Sequence, residues 1–313
     1  MTHISVMVYF TPAFRAFVAS PESKKYSLNP WTDPIRHIKR QIAHANMIFE
    51  ANEIPVTLVL HCIEELKDFL ERSYASPPLY APSILLNKFR YSKKGLKPLL
   101  NSANIAILMT GAPTLEALGC AGTIGPSRRT NKPPIAWVFP MDDLTLIHEI
   151  GHIFGCHHNR EASGGRNGGY LGKDSNMHTI MAYPDDTHNL HIPYFSSNVM
   201  TCKEGTELGD RWNDNRRKII KNRFLLSQYN EESNGNCRHH NTSCKDNCDQ
   251  NCCHVKEETF AEPGLQLCAF SPEATLIQKC LSPSDAIKPT SLHCILLVTL
   301  LVSFRSKNIF ELD

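Results

Sequence analysis

Eleven residues, HEIGHIFGCHH from His148 to His158, set three histidines, a glutamate and a glycine at spacings that suit a catalytic metal. His148 and His152 are four apart, so on a helix both imidazoles leave the same face, one turn above the other. Gly155 permits the left-handed turn that ends such a helix and sends the chain back. The return brings His158 towards the same point from another direction. Three neutral imidazoles fill three tetrahedral positions of Zn2+ and leave the fourth for water, which is the catalytic rather than the structural arrangement. Glu149, beside the first ligand, is placed to take the proton from that water. The bland alternative is a histidine-rich solvated helix face, and the chain has 15 histidines in 313 residues. A bare HExxH would fit it, but the five fixed positions recur by chance in roughly one such chain in ten thousand.

The pattern HExxHxxGxxH resembles the zinc signature of the metzincin metalloproteases, whose second hallmark is a methionine turn after the third histidine. HTIMAYP (178–184) supplies such a turn, with Met181 at its centre. The resemblance implies one catalytic Zn2+ held by His148, His152 and His158, with Glu149 as the catalytic base. It makes Met181 an apolar, polarizable floor under the metal that does not bind it. Tyr183 follows Met181 by two, as in the astacin and serralysin branches. There such a tyrosine reaches the zinc or stabilises the tetrahedral intermediate; the alternative is a buried tyrosine with a satisfied hydroxyl. The chain is most similar to the adamalysin/reprolysin (M12B-like) group. That group usually has Asp after the third histidine and Cys-Ile-Met at the turn, where this chain has Asn159 and Thr179-Ile180-Met181. The likeness covers roughly residues 4–228.

Several elements must position these residues. ISVMVYF (4–10) is rich in β-branched and aromatic residues and reads as a strand. Asp33-Pro34 opens a helix on which Ile35, Ile38, Ile42, Ala45 and Phe49 recur at helical spacing. VTLVLH (56–61) reads as a strand followed by a helix carrying Ile63, Leu66 and Leu70. NIAILM (104–109) and IAWVF (135–139) are continuous apolar runs, as in strands buried on both faces. Asp142 and Asp143 open the zinc helix, whose core stripe is Leu146, Ile150 and Ile153. A last helix near 214–229 carries Ile219, Ile220, Phe224 and Leu225. This order is α/β, and the resemblance implies the same: the metzincin fold, with a mixed five-stranded sheet, a zinc-binding helix and a small C-terminal subdomain. By that likeness LGCAGTIG (118–125) is the edge strand to which an extended peptide adds through backbone hydrogen bonds. HIPYFSS (191–197) then walls the pocket for the residue after the cut, and Tyr194 and Phe195 either line that pocket or belong to the small subdomain's core.

Of the 12 cysteines, four lie in the first 230 residues and eight in the rest. A short tail with few apolar residues cannot build a core, so that density implies cross-links and an oxidising, extracellular compartment. Cys120 and Cys202 resemble, by position, the disulfide that ties the adamalysin lower subdomain to the edge-strand region; the pairing of Cys62 and Cys156 stays open. Residues 244–268 faintly resemble a disintegrin-like module through Cys252-Cys253 and Pro263-Gly264. A second zinc site with His239, His240 and His254 is the rival reading, which the spacing does not favour. Asn241-Thr242-Ser243 is a glycosylation sequon.

Three segments result: a metalloprotease catalytic domain at 4–228, a cysteine-rich, disintegrin-like module at 237–280, and a short hydrophobic stretch at 292–304. That stretch has 13 residues, fewer than the ~20 that span a bilayer, and leaves membrane association open. No signal peptide is read at the N-terminus, because its apolar residues are needed as the first strand. Net charge of +2 with interspersed signs gives no reason to expect a nucleic acid partner. The function expected is zinc-dependent hydrolysis of internal peptide bonds in extracellular proteins, cell-surface or matrix proteins among them. The alternative is an inactive adhesion or binding protein acting through its cysteine-rich tail. A structural Ca2+ ion is left open, with no residue pattern arguing for it.

Overall fold

The computed structural model describes residues 1–21, 23, 33–69, 71, 82–90, 103–111, 117–126, 134–140, 142–159, 168–173, 175–202 and 205–229, all within one unit, Met1–Cys268. The tail module and the 292–304 stretch lie outside the described residues, as does Leu70. Among the described residues no helix is long and apolar enough to cross a membrane.

Five strands form one sheet: β1 (Thr2–Phe10), β2 (Val56–Glu65), β3 (Ile105–Met109), β4 (Gly119–Ala121) and β5 (Ile135–Val138), in the order β2-β1-β3-β5-β4. All neighbours are parallel except β4, which runs antiparallel to β5. The expected mixed five-stranded sheet is therefore present, with 118–125 at its edge. Every residue of β3 and β5 is buried, which explains why those segments read as unbroken apolar runs.

Side-chain alternation divides the sheet residues between two cores. Ile4, Val6, Val8, Phe10, Ile107 and Val138 face one way, against α2 (Pro34–Ala51), α4 (Thr145–Phe154) and α5 (Asn215–Ser227). Met7, Tyr9, Leu108 and Trp137 face the other way, against Leu85, Leu86 and Phe89 of α3 (Pro82–Arg90). A short helix, α1 (Pro12–Ala19), follows β1 and is capped by Thr11, whose hydroxyl accepts from the Phe14 N–H at 3.0 Å. Asp33 caps α2 as expected, accepting from the Ile35 N–H at 2.9 Å. Beyond α4 the structure is made of small pieces: β6 (Met177–His178) beside β7 (Leu190–His191), and β8 (Ser197–Thr201) beside β9 (Glu207–Leu208).

One expectation is corrected, and two features go beyond the sequence reading. The segment after His61 is not helical: β2 continues to Glu65 because β1 runs to Phe10, and its backbone groups there pair with Cys62–Glu65 across a bulge at Val6/Met7. α3 was not expected at all. On α5, Ile219 and Leu226 are buried, whereas Phe224 and Leu225 are 56% and 39% exposed, so the buried stripe runs along a different line.

The outer edge of β2 is met by a side chain of α2. Asn46 Nδ2 donates to the Leu58 carbonyl at 3.0 Å, and its Oδ1 accepts from the Leu58 N–H at 2.7 Å, as a neighbouring strand would.

Candidate metal centre

The histidine helix α4 is defined at both ends. At its start Asp142 Oδ1 accepts from the N–H groups of Leu144 (2.9 Å) and Thr145 (2.6 Å), meeting donors that a helix leaves unpaired. At its end Gly155 takes φ +97°, and the N–H of Cys156 returns to the Gly151 carbonyl at 2.9 Å. A Cβ on Gly155 would also sit 2.8 Å from Lys218 and 2.9 Å from Asn222 of α5, whose amide donates to the Phe154 carbonyl. The turn therefore needs glycine on two counts.

That turn brings the three imidazoles together. His158 Nε2 lies 3.1 Å from His148 Nε2 and 2.9 Å from His152 Nε2. The other ring nitrogens are held by carbonyls: His148 Nδ1 donates to Ile180 O at 2.7 Å, and His152 Nδ1 to Cys156 O at 2.9 Å. A carbonyl only accepts, so each Nδ1 carries the hydrogen and each Nε2 presents its lone pair inward. Burial pushes all three imidazoles down to about 4, which leaves them neutral at pH 7, the form that binds a metal.

Glu149 is 5% exposed and lies against the edge strand. Burial pushes its carboxyl up to about 8, against the opposing pull of the Ala121 backbone N–H. Its Oε2 is buried with no partner. A carboxylate oxygen left bare in an enclosed site needs a donor brought from outside the fold, such as a water. Three neutral imidazoles with converging Nε2 atoms fit a zinc ion better than a hard, oxygen-seeking cation. His148, His152 and His158 would hold it.

Met181 is fully buried beneath α4, and its sulfur sits where the side chain of Gly151 would begin. Tyr183 is 53% exposed, so the buried-tyrosine alternative does not hold. Its ring centroid is 3.9 Å from that of His158, and Asn159 holds its backbone at both N–H (2.7 Å) and carbonyl (3.2 Å). Burial, Glu149 and Cys120 raise the phenol, which keeps its proton. Of the two aromatics in 191–197, Phe195 is fully buried and stacks on Phe49 at 6.2 Å. It belongs to the core, so it is Tyr194 that stays partly exposed.

The expected Cys120–Cys202 disulfide is not formed. Cys120 is a free thiol on β4, donating to the Ala121 carbonyl at 3.6 Å, whereas Cys202 follows β8 in a separate two-stranded sheet. The Cys120 thiol is pushed up to about 11 by burial and then by Glu149.

Two glycines were missed in the sequence. Gly151 makes room for Met181, and Gly119 makes room for the Glu149 carboxylate, whose Oε1 would lie 2.6 Å from an added Cβ. Gly151 carried a readable signal, since a glycine inside a strongly periodic helix usually has a packing reason. Gly119 carried none.

Residues 127–212 match the family model of the metallo-peptidase family M12B, reprolysin-like. This segment, with its histidine triad, is reprolysin-like, as the sequence resemblance implied. Among solved structures, a chain from the "Structure of a chaperone-substrate complex" is similar to this chain with a TM-score of 0.54 and 16% identity. The likeness covers 73% of this chain and 35% of that one, so this chain spans about a third of its length, and at that identity it concerns the fold alone. No curated protein matches the chain.

Proposed function

We propose that the chain is a zinc-dependent metalloendopeptidase. The observation that carries this reading is the convergence of the three Nε2 atoms, within 3.1 Å of His158 Nε2, on a helix that also carries the buried, unpartnered Oε2 of Glu149. A zinc ion held there supplies acidification of a water and polarisation of the scissile carbonyl. Glu149 accepts the water proton and passes it to the leaving amine, and its burial suits a group that must both take and give a proton near neutral pH. Its position against β4 places this base beside the edge along which an extended peptide would pair. The Tyr183 phenol, protonated and beside His158, is positioned to donate a hydrogen bond to developing negative charge.

Residues 4–228 form the catalytic domain on this reading. Extracellular protein substrates and secretion are proposed from the cysteine density of the tail, where eight of the 12 cysteines lie beyond residue 230. The test uses the full chain. Metal analysis should find one zinc, a chelator should suppress casein hydrolysis, and Glu149→Ala should keep the zinc while losing turnover. Hydrolysis unchanged in Glu149→Ala, or a purified wild type that takes up no zinc, overturns the proposal.

A further inference from the structure

We infer that Asp143 is a positioning residue for the metal-binding helix: through it, α2 sets the rotation and axial height of α4, and with them the placing of His148 and His152. The inference rests on the zinc reading above.

Asp143 precedes α4 but does not cap it, since Asp142 already meets the first N–H groups. Its acceptors are turned instead towards three side chains of α2. Arg40 Nη2 donates to Oδ2 at 2.7 Å, Gln41 Nε2 to Oδ1 at 3.0 Å, and His44 Nδ1 to the Asp143 carbonyl at 3.1 Å. Both carboxylate oxygens and the backbone oxygen are thus engaged by one helix. The ion pair is sheltered, with both side chains 22% exposed.

The two helices run in the same direction, because the far end of the contact pairs Phe49 of α2 with Phe154 of α4, ring centroids 6.0 Å apart. The body of α4 packs through apolar side chains, with Leu146, Ile147, Ile150, Ile153 and Phe154 all within 1% of full burial. Its other main-chain hydrogen bonds to neighbouring elements, from Asn222 to the Phe154 carbonyl and from the Gly125 N–H to the His152 carbonyl, lie towards its C-terminal end. Asp143 is thus the polar tie at its start. Apolar burial is non-directional, so it holds a helix in place without fixing its angle closely. Hydrogen bonds are directional, and three meeting at one residue fix both angle and height. The scale matters here. With side chains about 6 Å from the helix axis, a turn of ~10° moves a ligand atom by about 1 Å. Metal–ligand distances tolerate only about 0.2 Å.

Zinc affinity, measured by competition with a chromophoric chelator, tests this without reference to activity. Asp143→Ala should raise the zinc dissociation constant about tenfold or more, within the range seen when outer supports of a metal site are removed. It should also shift the visible absorption of the cobalt-substituted protein. Asp143→Asn, which keeps an acceptor for Gln41, should lose less. Arg36→Ala, which breaks an exposed pair with Asp33 on the same helix, should change neither readout. If Asp143→Ala does not fold, Arg40→Ala carries the same expectation with the backbone contact of His44 retained. A lowered melting temperature with unchanged zinc affinity and cobalt spectrum would make Asp143 merely structural and overturn the inference. Zinc bound by wild type and variants alike removes this inference alone; zinc bound by none removes the metal site as well.

Discussion

The sulfur of Met181 occupies the space a side chain on Gly151 would take, 2.6 Å from the position of its Cβ, with Phe195 Cε1 at 3.0 Å. The floor of the metal site is therefore built into the helix that supplies the ligands. Gly151→Ala sets two effects against each other. Alanine favours a helix interior by up to about 1 kcal/mol, and overpacking a closed core costs about 1–3 kcal/mol. Met181 and Phe195 are both fully buried and have nowhere to move, so the crowding wins. Thermal unfolding should show a net loss of roughly 1–2 kcal/mol. A variant as stable as wild type would mean that the methionine retreats freely.

Gly119 stands in a similar relation to Glu149, but the consequence is chemical. A Cβ there would lie 2.6 Å from Oε1 and 2.9 Å from Cδ, pushing the carboxylate off the edge strand. Gly119→Ala should keep stoichiometric zinc, since no ligand is touched. Its kcat should fall roughly 10²-fold, within the range of general base catalysis. Metal content and steady-state kinetics on one preparation decide it, and a kcat within twofold of wild type would count against the assigned base.

Tyr183→Phe retains the ring against His158 and removes only the hydroxyl. Zinc affinity should hold, and kcat should drop about a hundredfold with KM little altered, as when one donor to developing charge is lost. Equal kinetics would leave the tyrosine as a ring that shields His158.

His37 offers a pH test on a histidine outside the metal-binding triad. It is 4% exposed, lies edge-on to Phe14 at 5.8 Å, and its Nε2 has no partner. Burial, then Arg40, pushes its imidazole down to about 4. Since the folded value lies below the unfolded 6.5, the unfolded chain binds more protons between the two. Stability from this group is thus fully present above pH 6.5 and is lost as pH falls towards 4, by about 3 kcal/mol. Urea unfolding of the zinc-loaded protein at pH 6.5, 5.5 and 4.5 should show a shallower decline for His37→Leu; parallel declines would contradict the assignment.

What the sequence made legible was local. HEIGHIFGCHH reads as a site because its three ligands lie within one helix and the turn after it, so spacing alone dictates convergence. β3 and β5 were legible because burial on both faces leaves no polar residue to break the run. The continuation of β2 through Cys62–Glu65 was not, since its cause is the length of β1, more than fifty residues away in the chain. The contacts of Asp143 with Arg40, Gln41 and His44 cross about a hundred residues, and no local pattern announces them. Gly119 is silent for the same reason, because its meaning lies in Glu149 on another element. Phe224 and Leu225 show the converse, since both are apolar and the helix turns them outward.

The pairing of Asn46 with Leu58 makes the two borders of the sheet unequal. An incoming strand at β2 would first have to break both of those bonds, because the amide already stands in for a neighbour near the start of the strand. That blunts a border which would otherwise present those backbone groups to another chain. One asparagine thus closes part of the β2 border, and leaves the β4 border, beside Glu149, to be shaped by other needs.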